Sequence, residues 1–166
     1  MTRRLNQNQK KRLEEGMVIR SITERDIDAI IEIDLRVTGE PKPDYWYRKL
    51  SLYLKGGGDY TVFKIDRQLA RVAEVKGEVV GFMLGDVRSW EFGQPMCGWI
   101  TDLAVDPNYR RLGIARRLLA EFLDYFRERG LKVVRTMAHW ADGDIISYFH
   151  AMGFERGAYI ELEKKL

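Results

Sequence analysis

"WITDLAVDPNYRRLGIARRLL", Trp99 to Leu119, joins a run of strand composition to a run of helical spacing. It sets four arginines, Arg110, Arg111, Arg116 and Arg117, around one glycine, Gly113. The start of a helix is the positive end of its dipole and favours acidic residues. Cations gathered at that end repel it unless an anion sits between them. The unpaired N–H groups of a first helical turn form a ready anion site, and glycine lets a ligand approach the backbone closely. Arg110, Arg111 and Arg116 can add charge-assisted bonds to phosphate oxygens. Taken alone, RRLGIA is equally consistent with a glycine kept for tight packing and arginines kept in water. It is not a P-loop, because no Gly-Lys-Ser/Thr follows. Nor is it the dinucleotide fingerprint, which needs further glycines and an acidic residue downstream.

The 166 residues suit one domain, 17–166, behind a polar and basic extension, 1–16 (MTRRLNQNQKKRLEEG). With 45% hydrophobic and 32% charged residues, the composition is that of a soluble globular protein. A net charge of +3 suits an anionic ligand but is too weak to argue for nucleic acid. Cys97 is the only cysteine, which excludes an intrachain disulfide and points to a reducing, cytoplasmic setting. No apolar run reaches the roughly 18 to 20 residues of a membrane span, so no membrane partner is expected.

Outward from the opening stretch, "MVIRSI" from Met17 reads as a strand, and "TERDIDAIIEIDLRV" as an amphipathic helix with Thr23 at its N-cap. "GEPKP" breaks it, and "DYWYRKLSLYL" is a second helix. "YTVFKI" (60–65) has strand composition without a clear place in a sheet. "LARVAEVKGEVVGFMLGDVRSWEF" is a hairpin around Lys76-Gly77, and "CGWITDLAV" is the next strand. The run from Arg111 to Arg129 is helical, with Ala115, Leu118, Leu119, Phe122 and Phe126 on one face. "LKVVRTMAHW" reads as a buried strand, "DIISYFHAMG" as a short helix and "AYIELEKKL" as a last strand. The order is that of a mixed α/β fold with a strand–helix–strand unit in its second half.

"ITDLAVDPNYRRLGIARRLL" resembles the acetyl-CoA motif of the GCN5-related N-acetyltransferase (GNAT) family. In that motif Leu-x-Val lies on a strand, and Arg/Gln-x-x-Gly-x-Gly/Ala then opens a helix. Arg110, Gly113 and Ala115 fill the last positions. "YFHAMGF", Tyr148 to Phe154, resembles the family's second motif, an aromatic helix ending in Gly-Phe. The resemblance implies a mixed, mostly antiparallel central sheet with splayed strands 4 and 5 flanked by helices, the acyl-CoA N-acyltransferase fold. It also implies acetyl transfer from acetyl-CoA to a primary amine by direct attack in a ternary complex. Backbone amides of Arg111, Leu112, Gly113, Ile114, Ala115 and Arg116, with Arg110 beside them, would hold the pyrophosphate. Leu103, Ala104 and Val105 would pair with the pantetheine like an added strand, and the N–H of Leu103 would polarise the thioester carbonyl.

Such chemistry needs a base for an ammonium of pKa near 10 and an acid for the departing thiolate; no enzyme nucleophile is required. The family's usual acid, a tyrosine placed before the motif's glycine, falls on Phe149; the tyrosine here is Tyr148, about 100° away around a helix. Asp102 on the cofactor strand is a candidate base through a water, although strand alternation leaves its face open. His139 is a second candidate near neutral pH. Glu40, Asp44 and Trp46, between and within the first two helices, are candidates for the acceptor site. Each of these has a plainer reading as a cap, a core ring or a solvated residue. Two separated histidines and one cysteine suggest no metal site. The acceptor, a small molecule, protein N-terminus or lysine, is not legible, with a protein N-terminus preferred. Homodimers are common among enzymes of this kind, but no interface can be read. Phe149 favours a rival assignment, a non-catalytic coenzyme A-binding or interaction module.

Overall fold

Lys76 and Gly77 both adopt positive φ, 54° and 83°, as a two-residue turn must if its twist is to match that of the strands it joins. They link β2 (Gln68–Val75) to β3 (Glu78–Arg88). The computed structural model describes residues 16–55, 68–89, 93 and 95–166; the expected strand at 60–65 and the extension before Gly16 lie outside them. The chain divides into two compact units, one ending at Thr136 and the other Met137–Leu166.

In the first unit β1 (Met17–Ser21), β2, β3, β4 (Cys97–Val105) and β5 (Val134–Thr136) form one sheet in the order β1-β2-β3-β4-β5. The first four strands are antiparallel neighbours, whereas β4 and β5 run parallel. This is the mixed, mostly antiparallel sheet that the sequence led us to expect. α1 (Ile27–Thr38) and α2 (Pro43–Leu54) cover one face. There Ile30, Ile33, Trp46 and Leu50 pack with Ala70, Val72, Phe82 and Leu84. The buried Asp26 carboxylate fixes the entry to α1: Arg20 donates to its two oxygens at 2.7 and 2.8 Å, and the Thr23 N–H and hydroxyl donate at 2.7 and 2.9 Å. Burial pushes this carboxyl's pKa up, but the bonds from Arg20 and Thr23 outweigh it and hold the group below the ordinary carboxylate range.

α3 (Ile114–Glu128) lies on the opposite face, with Ile114, Leu118, Leu119, Phe122 and Phe126 buried. Three glycines make room for it. A Cβ at Gly81 would lie 3.1 Å from Ile114 Cγ2, one at Gly85 2.8 Å from Phe122 Cε1, and one at Gly98 2.6 Å from Phe126 Cδ2. The helix therefore rests almost on the sheet backbone, which fixes where its first turn begins.

The structure corrects three expected boundaries. The helix read from Arg111 starts at Ile114, because Arg111 and Gly113 take left-handed conformations that end regular winding. The strand read over 131–140 is confined to Val134–Thr136. Its ladder ends where the Thr136 hydroxyl donates to the Ile100 carbonyl at 3.1 Å. No strand forms over 158–166, where the alternating pattern is present but Tyr159, Ile160 and Leu162 are exposed; alternation suits a strand, but a strand also needs a neighbour to bond. In the second unit, α4 (Gly143–Ala151) starts at Asp142, whose side chain accepts from the Ile145 N–H at 3.1 Å.

Gly98→Ala is expected to lower stability by about 1–3 kcal/mol through overpacking against Phe126, read as a lower urea midpoint. Gly143→Ala, whose new Cβ meets nothing within 4 Å, is expected to stay within about 0.5 kcal/mol of the parent.

Candidate functional site

β4 hands over to α3 through a turn tied down on two sides. Asp106, 2% exposed, accepts from the Asn108 N–H at 2.8 Å and from the Arg36 guanidinium of α1. Its own N–H donates to the Val80 carbonyl at 2.9 Å. The Tyr109 hydroxyl adds a bond to Glu78 at 3.0 Å. Beyond the turn, Arg111 has φ 64° and Gly113 φ 74°. Such changes of hand turn successive N–H groups toward one side and make an anion-binding concavity. A non-glycine residue in this conformation costs about 1–2 kcal/mol. Leu112 and Ile114, 4% and 2% exposed, root the loop in the core around it. The first bond of α3 runs from the Arg117 N–H to the Gly113 carbonyl at 3.0 Å, so Ile114, Ala115 and Arg116 carry N–H groups with no acceptor inside the helix. Arg110, Arg111, Gly113 and Arg116 are exposed around them.

The second feature is the edge of β4. Its pairing with β5 covers only Gly98, Trp99 and Ile100. Among the described residues, Thr101–Val105 has no sheet partner on that side. Against β3 the register steps from Leu84↔Asp102 to Gly85↔Ile100, so Thr101 is the extra residue of a bulge. A regular strand would send Thr101 and Asp102 to opposite faces; the bulge turns both toward α2.

α2 meets them with one stripe, Tyr45, Lys49 and Tyr53. The Lys49 ammonium lies 2.9 and 2.7 Å from the two Asp102 carboxylate oxygens and donates to the Tyr45 hydroxyl at 2.8 Å. It also lies 5.2 and 5.6 Å from the Tyr45 and Trp46 ring centres. Burial pulls the Lys49 pKa down, but the bonds to Asp102 and Tyr45 carry it above the ordinary lysine value, so the group stays charged at neutral pH. The Tyr53 hydroxyl sits 3.4 Å from Thr101 Oγ1, and burial raises its pKa. Tyr-x-x-x-Lys-x-x-x-Tyr was visible in the sequence as a helical stripe, but nothing there showed which strand it would meet.

Other sequence candidates fall elsewhere. Trp46 is 3% exposed, donates to Asp34 at 2.8 Å and packs edge-on against Phe82; its ring is part of the core and not a pocket wall. Glu40 and Asp44 are exposed, Glu40 in the turn after α1 and Asp44 in the first turn of α2. His139 and Tyr148 belong to the second unit. The expectation that His139 ends a strand is corrected: β5 stops at Thr136, and His139 Nδ1 accepts from the Ala141 N–H at 3.1 Å in an exposed turn. Phe149 is 6% exposed and stacks edge-on with Tyr148 and Phe154 at 5.1 and 5.0 Å.

The model of the acetyltransferase (GNAT) family matches residues 27–154, from the start of α1 through Phe154. The chain belongs to the GNAT family. Among curated proteins this GNAT chain is 27% identical over 152 residues to an uncharacterized N-acetyltransferase of Methanocaldococcus jannaschii, covering 82% of the chain and 60% of the relative. It spans about 60% of the length of the first curated relatives that it matches. Among solved structures, the GNAT fold is shared with AAC(6')-Iy in complex with a bisubstrate analog of CoA and monomethyl-acetylneamine (TM-score 0.74, 16% identity, 90% of this chain and 98% of that one). It is also shared with Ard1 from Thermoplasma volcanium (TM-score 0.68, 24% identity, 86% and 85%).

Gly113→Glu places bulk and negative charge at the mouth of the loop and strains a residue at φ 74°. Isothermal titration with coenzyme A should show at least about a tenfold loss of affinity, with the cooperative melt retained. Unchanged affinity would mean that the anion binds elsewhere.

Proposed function

We propose that this GNAT chain transfers the acetyl group of acetyl-CoA directly to a primary amine. The observation that carries this is the concave loop at the start of α3, set one turn beyond a strand whose outer edge is unpaired. The pairing of those two features suits a long ligand with a diphosphate at one end. Arg111 to Arg116 would hold the diphosphate through backbone N–H groups, with the Arg110, Arg111 and Arg116 side chains as counter-charges. Leu103, Ala104 and Val105 would bond the pantetheine as a strand would. Bound acetyl-CoA supplies an activated acyl carbonyl, and the Leu103 N–H is the donor assigned to that oxygen.

Asp102, beside Lys49, is the assigned acceptor of the amine's proton through a water. In the second unit, Tyr148 is the group assigned to returning a proton to the thiolate, and His139 is the second candidate acceptor of the amine's proton. Glu40 and Asp44 are assigned to the acceptor's approach. A small amine or a peptide α-amine is the acceptor class, in a cytoplasmic setting. Phe149, at the family's tyrosine position, favours the rival, a module that binds coenzyme A without turnover.

Incubation with acetyl-CoA and a panel of amines and peptides separates the two. Free thiol should be released only when an amine is present, in step with the acetylated product found by mass spectrometry. Tight coenzyme A binding with no thiol release on any acceptor would favour the module.

A further inference from the structure

We propose that Arg36 of α1 is a positioning residue for the diphosphate of coenzyme A, acting through the buried carboxylate of Asp106. This rests on the placement of that diphosphate at the loop before α3. Arg36 lies far outside the stretch that resembles the acetyl-CoA motif, so the motif itself assigns it nothing. Its guanidinium donates to Asp106 Oδ2. Asp106 Oδ1 accepts from the Asn108 N–H at 2.8 Å, and the Asp106 carbonyl accepts from the Tyr109 N–H at 2.8 Å. The turn Pro107–Tyr109 is therefore wound around Asp106.

A carboxylate 2% exposed stays out of water only where a cation and hydrogen bonds answer its charge. Arg36 supplies that cation. Without it, Asp106 is expected to turn toward water and release the Asn108 N–H. The displacement would then travel down the chain, because Arg110 to Gly113 contains two left-handed residues and no helical turn to absorb it. A misplacement of about 1 Å in a site can cost about a hundredfold in rate. Arg36 is itself held for this task. Glu32, one turn earlier on α1, accepts from Arg36 Nη2 at 2.8 Å, and Glu78 adds a carboxylate at longer range. With carboxylates already around it, Arg36 acts on a bound anion through the turn and not as a counter-charge of its own.

The test measures the affinity of the full chain for coenzyme A and for 3′-phospho-ADP, its diphosphate end, by isothermal titration well below the melt. Arg36→Gln should weaken both by at least about tenfold. Arg36→Lys, which keeps the cation, should weaken them by no more than about threefold. Arg36→Gln combined with Asp106→Asn should regain most of the loss, because the amide still accepts from Asn108 and carries no charge to neutralise. Unchanged affinity in a folded Arg36→Gln, or a loss that the double variant does not regain, would overturn the assignment. Should Arg36→Gln not fold, Asp106→Ala decides. It removes the acceptor for Asn108, leaves Arg36 its bond to Glu32, and should again weaken both ligands about tenfold; parent affinity there would equally overturn the assignment. Gly113→Glu tells the two readings apart. If it too leaves coenzyme A bound at parent affinity, the diphosphate placement fails and this inference with it. If Gly113→Glu weakens binding and the Arg36 and Asp106 variants do not, the role of Arg36 alone is removed.

Discussion

A backbone N–H or C=O withdrawn from water without a partner costs about as much as a lost hydrogen bond, and that rule governs how β4 can be used. The strand is satisfied by β3 along its inner edge, while along its outer edge the ladder with β5 stops at Ile100. From Thr101 to Val105 no described strand pairs with the outer groups. A ligand with amide groups at strand spacing is the chemical complement of such an edge. Opening the edge this way keeps the rest of the sheet intact, because the break comes after β5 has already paired with Gly98, Trp99 and Ile100.

The same strand connects the two ends of the site. On the α3 face its glycine, Gly98, lets Phe126 approach until a single added carbon would collide. Close seating of α3 sets the height of its first turn, and so the position of the N–H groups of Ile114 to Arg116. On the α2 face the bulge at Thr101 brings two consecutive polar side chains to one side. Lys49 and Tyr53 are positioned to meet them. One strand therefore presents backbone at its edge, a carboxylate on one face and a helix start beyond its end.

Much of this was legible in the chain. The hairpin at Lys76-Gly77 and the amphipathic faces of α1, α2 and α3 follow from local rules of turn chemistry and periodicity, and the structure contains each of them. What was not legible depends on partners distant in sequence. Asp102 reads as an ambiguous strand residue until a bulge, visible only against β3, decides its face. Arg36 and Asp106 form a pair across 70 residues, and neither stands out in its own segment. Trp46 was read toward the acceptor site because it lies on α2 near the polar turn, but its indole N–H finds the buried Asp34 and turns the ring inward. The strand pattern at 158–166 shows the converse: local signals were strong, and no described neighbour accepts them.

The bond between Arg36 and Asp106 also bears on portability. The short run from Asp106 to Ala115 would seem a cassette, transferable to any sheet that ends in a helix. Its first turn, however, is braced by a carboxylate 2% exposed, and the cation that neutralises that carboxylate comes from α1. Grafted without Arg36, the cassette would carry a buried, uncompensated charge worth several kcal/mol against the host. Inheritance of the anion loop is thus inheritance of a helix far upstream, and the two must be transplanted together.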